Sequence, residues 1–160
     1  MSGAATGVRF QPTRFVLPNG LTVLLQENPG SPAVTMSMRF AAGAAFESPA
    51  SQGLAGFCAA MLKRGTEKRT KTQIGEHLDF TGALLSAGAT RHTVSIGAKA
   101  RAADFESTLE LLGDCATSPS FPVPEAEKLR GDILTAIRED RDDTGQIAIE
   151  KDHRFTQHQP

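Results

Sequence analysis

The spacing of apolar residues changes once between residues 33 and 62, and this change constrains the fold class. From Ala33 to Ala41, Val, Met and Phe alternate with polar residues, as in a strand that buries one face. From Leu54 to Leu62, apolar residues recur at intervals of three and four, which places them on one side of a helix. The two segments together predict a sheet covered by helices.

A hairpin is predicted before the first of these segments. Two β-prone runs, Arg14 to Leu17 and Leu21 to Gln26, are separated by Pro18-Asn19-Gly20. The Asn-Gly step favours the positive φ angles that a tight hairpin turn requires. The strand from Ala33 to Ala41 is therefore expected to follow a hairpin.

Two helices, two strands and two more helices complete the predicted order βββ-αα-ββ-αα. The apolar residues expected to face the core are Leu54, Phe57, Cys58, Met61 and Leu62 of the first helix, Ile74 and Leu78 of the second (Thr70 to Phe80), Phe105, Leu109, Leu112 and Cys115 of the third, and Leu129, Ile133 and Ile137 of the fourth. Strands are expected from Leu84 to Ala87 and from His92 to Ala100, and Asp104 is expected to cap the third helix. This order predicts an α+β fold, with a mainly antiparallel sheet and helices packed on one face.

Length, charge and cysteine content exclude several classes of function. The 160 residues, 39% of them hydrophobic, fit one domain with one core. A formal net charge of -1, with mixed signs along the chain, offers no basic surface for nucleic acid or anionic lipid, so neither is expected as a partner. No membrane span or signal peptide is visible, which predicts a cytoplasmic protein unless the N-terminus has been trimmed. The two cysteines, Cys58 and Cys115, lack metal-site spacing and are expected to be reduced and buried.

Three local sequences together resemble the pitrilysin/insulinase family of zinc metallopeptidases, which includes the mitochondrial processing peptidases. Leu17 to Val23 is similar to the family's LxNGLxV hairpin, and Gly53 to Thr66 is similar to its GLAHFLEHMLFKGT helix. The order from Gly82 to Arg138 also resembles the family. Residues 1–12 precede the stretch that resembles the family and are expected to be a flexible N-terminus. The resemblance implies that residues 13–160 are the N-terminal part of a peptidase-family domain, which is incomplete and lacks the second domain.

The positions that bind zinc in active family members are all changed in this sequence. The family motif H-x-x-E-H supplies two zinc ligands and a general base, and a later helix supplies a glutamate ligand. In this chain, Gly56 and Ala60 stand at the two histidines, Ala59 at the base and Ala136 at the later glutamate. The resemblance therefore implies no catalytic residue and no metal site in this chain, with zinc expected only in a partner subunit.

The resemblance also implies a site for peptides. Family peptidases bind their substrate as a strand added to a sheet edge beside the zinc, and Leu85-Ser86-Ala87 resembles that edge. Ser86 stands where the family usually has asparagine. An ordinary strand of the sheet is the alternative interpretation of this segment.

Three functions are left open by these observations. The leading hypothesis is an inactive subunit that assists peptide binding or assembly with a motif-bearing, zinc-containing subunit of the same family. The alternatives are an active zinc metalloendopeptidase whose site has been misaligned, and a structural core-type subunit.

Overall fold

The structure is a computed structural model that describes residues 11–142, and the side chains of residues 140–142 are left out of the description. The strands are β1 (Thr13–Val16), β2 (Thr22–Leu25), β3 (Ala33–Ala41), β4 (Leu84–Ala89) and β5 (Thr93–Arg101). The helices are α1 (Leu54–Met61), α2 (Lys71–Thr81), α3 (Phe105–Thr117) and α4 (Val123–Asp142). Both the α+β class and the predicted order of elements are confirmed. The expected flexible N-terminus lies almost entirely outside the described residues.

The strands form two antiparallel sheets. β1 pairs with β2, and a second sheet has the order β3-β5-β4. The hairpin loop consists of the three residues predicted to separate the strands, Pro18-Asn19-Gly20, and the Leu17 N–H donates to the carbonyl of Leu21 at 2.9 Å where the loop closes. Only Gly20 of the Asn-Gly step has a positive φ, of 85°. A three-residue hairpin loop needs only one left-handed residue, which explains why a positive φ is found at Gly20 and not also at Asn19.

The core lies between the three-stranded sheet and the helices. Its buried members include Leu62, Ile74, Ile96, Ala98, Leu111, Leu112 and Cys115. α1 contacts β4 and β5, and α3 contacts β5 and β3, so both helices cover the same sheet. None of the helices in residues 11–142 is long and apolar enough to cross a membrane.

The buried face of α3 differs from the predicted face. Thr108, Leu111, Leu112 and Cys115 are buried, whereas Phe105 and Leu109 are 37% and 38% exposed. The observed stripe has the same helical spacing, but it includes the polar Thr108 instead of the two larger apolar residues. Asp104 precedes α3 but makes no capping hydrogen bond, since its carboxylate accepts one from Arg101 Nε at 2.7 Å.

The other helices keep most of their predicted faces. Met61, Leu62, Ile74 and Leu129 are buried, and Phe57, Cys58 and Leu78 are half-buried. Leu54 is 52% exposed, because the buried residues of the short α1 belong to its C-terminal half. Ile133 and Ile137 of α4 are also partly exposed.

The two cysteines are free thiols, as predicted. Cys115 is buried, and Cys58 is only half-buried. Burial raises the pKa of the Cys115 thiol to about 11, and the nearby Asp114 carboxylate acts in the same direction. Cys115 is therefore protonated at neutral pH and behaves as a small apolar core residue.

Candidate peptide-binding edge and the changed metal centre

β4 lies at an edge of its sheet. It pairs with β5 on one side, and within residues 11–142 no strand pairs with its other side. Leu85 and Ala87 are half-buried and pack against the core, whereas Ser86 is exposed. The Ser86 hydroxyl donates to the carbonyl of Gly97 at 3.4 Å, so it is directed to the neighbouring strand. The predicted peptide-binding residues thus lie together on an edge strand, which is the geometry that β-augmentation requires.

α1 lies beside this edge and carries three of the changed positions. The helix packs on β4 and also contacts α4, which carries the fourth. The Glu47 carboxylate caps the helix, since it accepts hydrogen bonds from the N–H groups of Gly53 at 2.8 Å and Ala55 at 2.6 Å. This cap satisfies two backbone donors that have no partner within the helix.

The residues at the changed positions do not fit a zinc ion. Gly56 is exposed with open space around it, Ala60 is half-buried, and Ala136 is exposed on α4. A hydrogen atom and two methyl groups offer no lone pair to a metal. Within the described part of the chain, no group of three His, Cys, Asp or Glu side chains is placed to hold a metal ion.

Ala59, at the position of the general base, differs from the other three in its burial. It is 0% exposed, so its methyl group is enclosed by its neighbours. A glutamate at this position would have to displace packed atoms and desolvate its charge. The local packing therefore suits a small apolar residue at position 59.

A cleft of about 280 Å³ opens at the other end of α1. Its lining combines basic and apolar residues from the turn after α1, from α2 and from β4: Lys63, Arg64, Lys71, Ile74, Gly75, Leu78 and Leu85. Leu85 belongs to the edge strand, so the cleft borders the candidate peptide-binding site.

Glu125 of α4 holds two of the cleft's cations in place. Its Oε2 lies 3.1 Å from Arg64 Nη1 and 2.8 Å from Lys71 Nζ. The hydrogen bond from Lys71, supported by Arg64, lowers the pKa of Glu125, so this carboxylate is ionised at neutral pH. Sequence reasoning missed this cluster, and its one local signal was the Lys63-Arg64 pair near the end of the segment from Gly53 to Thr66.

Comparisons with known proteins identify the relatives of the chain. Residues 22–157 match the family described as Insulinase (Peptidase family M16). The chain is 30% identical to the mitochondrial-processing peptidase subunit beta of Neurospora crassa over 98% of this chain and 33% of the relative. It is 26% identical to the cytochrome b-c1 complex subunit 1 of Caenorhabditis elegans over 83% of this chain and 28% of the relative. The chain thus spans about a third of the length of these relatives.

A solved structure with a similar fold is a peptidase M16 inactive domain from Pseudomonas fluorescens. The TM-score is 0.78, the sequence identity is 21%, and the match covers 86% of this chain and 34% of that one. At this identity the likeness concerns the fold. The family match extends over most of the length of this chain. The chain therefore belongs to the insulinase family of peptidases, peptidase family M16.

Proposed function

We propose that this chain is a non-catalytic component of a heteromeric M16 peptidase, in which it helps to bind peptides along β4 while a motif-bearing subunit of the same family supplies zinc and general base. The observation that carries this proposal is the combination of an edge of β4 that no strand within residues 11–142 covers with three residues on the adjacent α1, and a fourth on α4, whose side chains cannot bind metal. The site retains what docking of an extended peptide requires and lacks what hydrolysis requires.

The relatives support a role within an assembly. One relative is named a beta subunit of a processing peptidase, and another is named a subunit of the cytochrome b-c1 complex. The second name favours an alternative function for this chain, a structural subunit that contributes surface but binds no peptide. The two functions differ in whether β4 accepts a peptide strand.

The first test measures zinc content and peptide cleavage. The purified chain alone is expected to contain no stoichiometric zinc by elemental analysis and to leave an unstructured peptide intact. A subunit with an intact H-x-x-E-H motif is expected to cleave that peptide faster with the chain than without it. Stoichiometric zinc together with cleavage by the chain alone would contradict the proposal and support the alternative of an active enzyme.

The second test asks whether binding uses the free edge of β4. Along a strand, successive backbone N–H groups point alternately to opposite sides. We therefore expect two peptides, each N-methylated at every second residue and offset by one position, to bind differently. The peptide whose methyl groups face β4 should show no binding that fluorescence anisotropy can measure. The other peptide should bind with the affinity of the unmodified peptide. Equal binding of both peptides would exclude an added strand, and no binding of any peptide would favour the structural subunit.

A further inference from the structure

The cleft next to β4 combines an apolar wall with an excess of positive charge. Ile74, Leu78 and Leu85 supply apolar surface, and Lys63, Arg64 and Lys71 supply three cations. Two carboxylates lie close to these cations, Glu125 and, at 4.0 Å from Arg64, the more exposed Asp132. Three cations against two carboxylates leave the cleft positively charged.

Lys63 provides the charge that is free to meet a ligand. Arg64 and Lys71 both bind Glu125, but Lys63 forms no ion pair with any residue that the structure describes. The side chain of Lys63 is exposed, so its ammonium group is accessible to a ligand. Binding the ligand would not require an ion pair within the described residues to break first. A cation that lines a cleft in this way favours an anionic group in the same space.

The register of the sheet determines which residue of a bound peptide would face this cleft. Leu85 pairs with Ala98, which belongs to the buried face of β5 together with Ile96 and Ala100. Side chains of directly paired residues project from the same face of a sheet. A peptide residue paired with Leu85 from the free side would therefore project on the face where the cleft lies, about 4.8 Å beyond β4.

We propose that the cleft is a specificity pocket for an acidic residue of the bound peptide, namely a glutamate in the position that pairs with Leu85. The methylene groups of glutamate match the apolar wall, and its carboxylate can reach Lys63 and the outer faces of Arg64 and Lys71. This inference rests on the proposed binding of peptides along β4, and it adds the class of peptide that is preferred.

The test scans one glutamate, glutamine or lysine through an otherwise neutral, fluorescently labelled peptide and measures affinity for the chain. At one position we expect glutamate to bind about three- to tenfold more tightly than glutamine, which is the size of the net contribution of one ordinary hydrogen bond. At the two flanking positions the preference should vanish, because those side chains face the opposite side of the sheet. At about 1 M salt, where the Debye length is roughly 3 Å, the preference should shrink.

Matched variants show whether the cleft is responsible. Lys63→Glu is expected to reverse the preference, so that the lysine peptide binds more tightly than the glutamate peptide. Lys99→Glu makes the same change in net charge on the other face of the sheet, where Lys99 pairs with the exposed Leu84, and should leave the preference unchanged. Circular dichroism of both variants verifies that they are folded.

The outcomes separate this inference from the proposed function. If neutral peptides bind with the N-methyl pattern of an added strand but glutamate gives no advantage, only the acidic specificity is overturned. The same conclusion follows if Lys63→Glu and Lys99→Glu have equal effects. If no peptide binds at all, both the specificity and the peptide-binding role are overturned.

Discussion

Replacing Asp114 with alanine is expected to destabilise the chain by about 1–3 kcal/mol, the range for leaving a partly buried hydrogen-bond donor without its partner. The Asp114 side chain is 10% exposed and binds both Lys68 Nζ, at 2.9 Å, and Arg69 Nη1. Lys68 and Arg69 belong to the segment between α1 and α2, so Asp114 ties this segment to α3. Without the carboxylate, the guanidinium of Arg69, only 26% exposed, would lose its buried partner.

Glu110→Ala is the matched control for this prediction. Glu110 also belongs to α3 and binds the same Arg69 at 3.2 Å, but its side chain is 56% exposed. An exposed ion pair contributes about 0–1 kcal/mol, so this variant should remain close to the parent chain. Urea unfolding at constant pH and salt measures both changes in the free energy of unfolding. Similar losses in the two variants would show that burial of Asp114 does not govern the strength of the interaction.

Leu111→Ala is expected to lower the free energy of unfolding by about 2–5 kcal/mol. Leu111 is 0% exposed and lies in the core with Ile96 and Leu112, so truncation leaves a cavity that the neighbours fill only in part. Small domains have total stabilities of about 5–15 kcal/mol, so a loss of this size would leave the variant with much less resistance to urea.

Leu109→Ala tests whether the structure places the correct face of α3 in the core. Leu109 belongs to the face that the sequence pattern favoured, but it is 38% exposed in the structure. Truncation of Leu109 should therefore lower the free energy of unfolding by clearly less than truncation of Leu111. The midpoints and slopes of urea unfolding distinguish the two variants. A larger loss of stability for Leu109→Ala than for Leu111→Ala would mean that the face predicted from the sequence is the buried one.

Local patterns predicted the elements of this fold well. The strand from Ala33 to Ala41 has the predicted limits, because alternation of apolar and polar residues depends only on the strand's own period. Thr70 was predicted as the start of the second helix and is its N-cap, with a hydrogen bond from the N–H of Gln73. Such features are encoded within a few residues and need no knowledge of the partner elements.

Packing of helices on the sheet was predicted less well. In α3, several overlapping stripes have helical spacing, and hydrophobicity alone favoured Phe105 and Leu109 over Thr108. The sheet instead receives the stripe that contains Thr108 and Leu111. Which side of a helix is buried depends on how the helix is oriented against the sheet. That orientation is set by contacts between segments that are far apart in the sequence.

The sequence by itself determined the family and the residues at its motif positions, and the side chains of Gly56, Ala59, Ala60 and Ala136 carry no lone pair for a metal in any fold. Only the tertiary structure decided that β4 is an edge strand and that Lys63, Arg64 and Lys71 surround a cleft beside it. Strand order and clefts arise from contacts between segments far apart in the chain. The pairing of Glu125 of α4 with Arg64 and Lys71, and the position of Lys63 beside them without such a pairing, are therefore visible only when those segments are packed together.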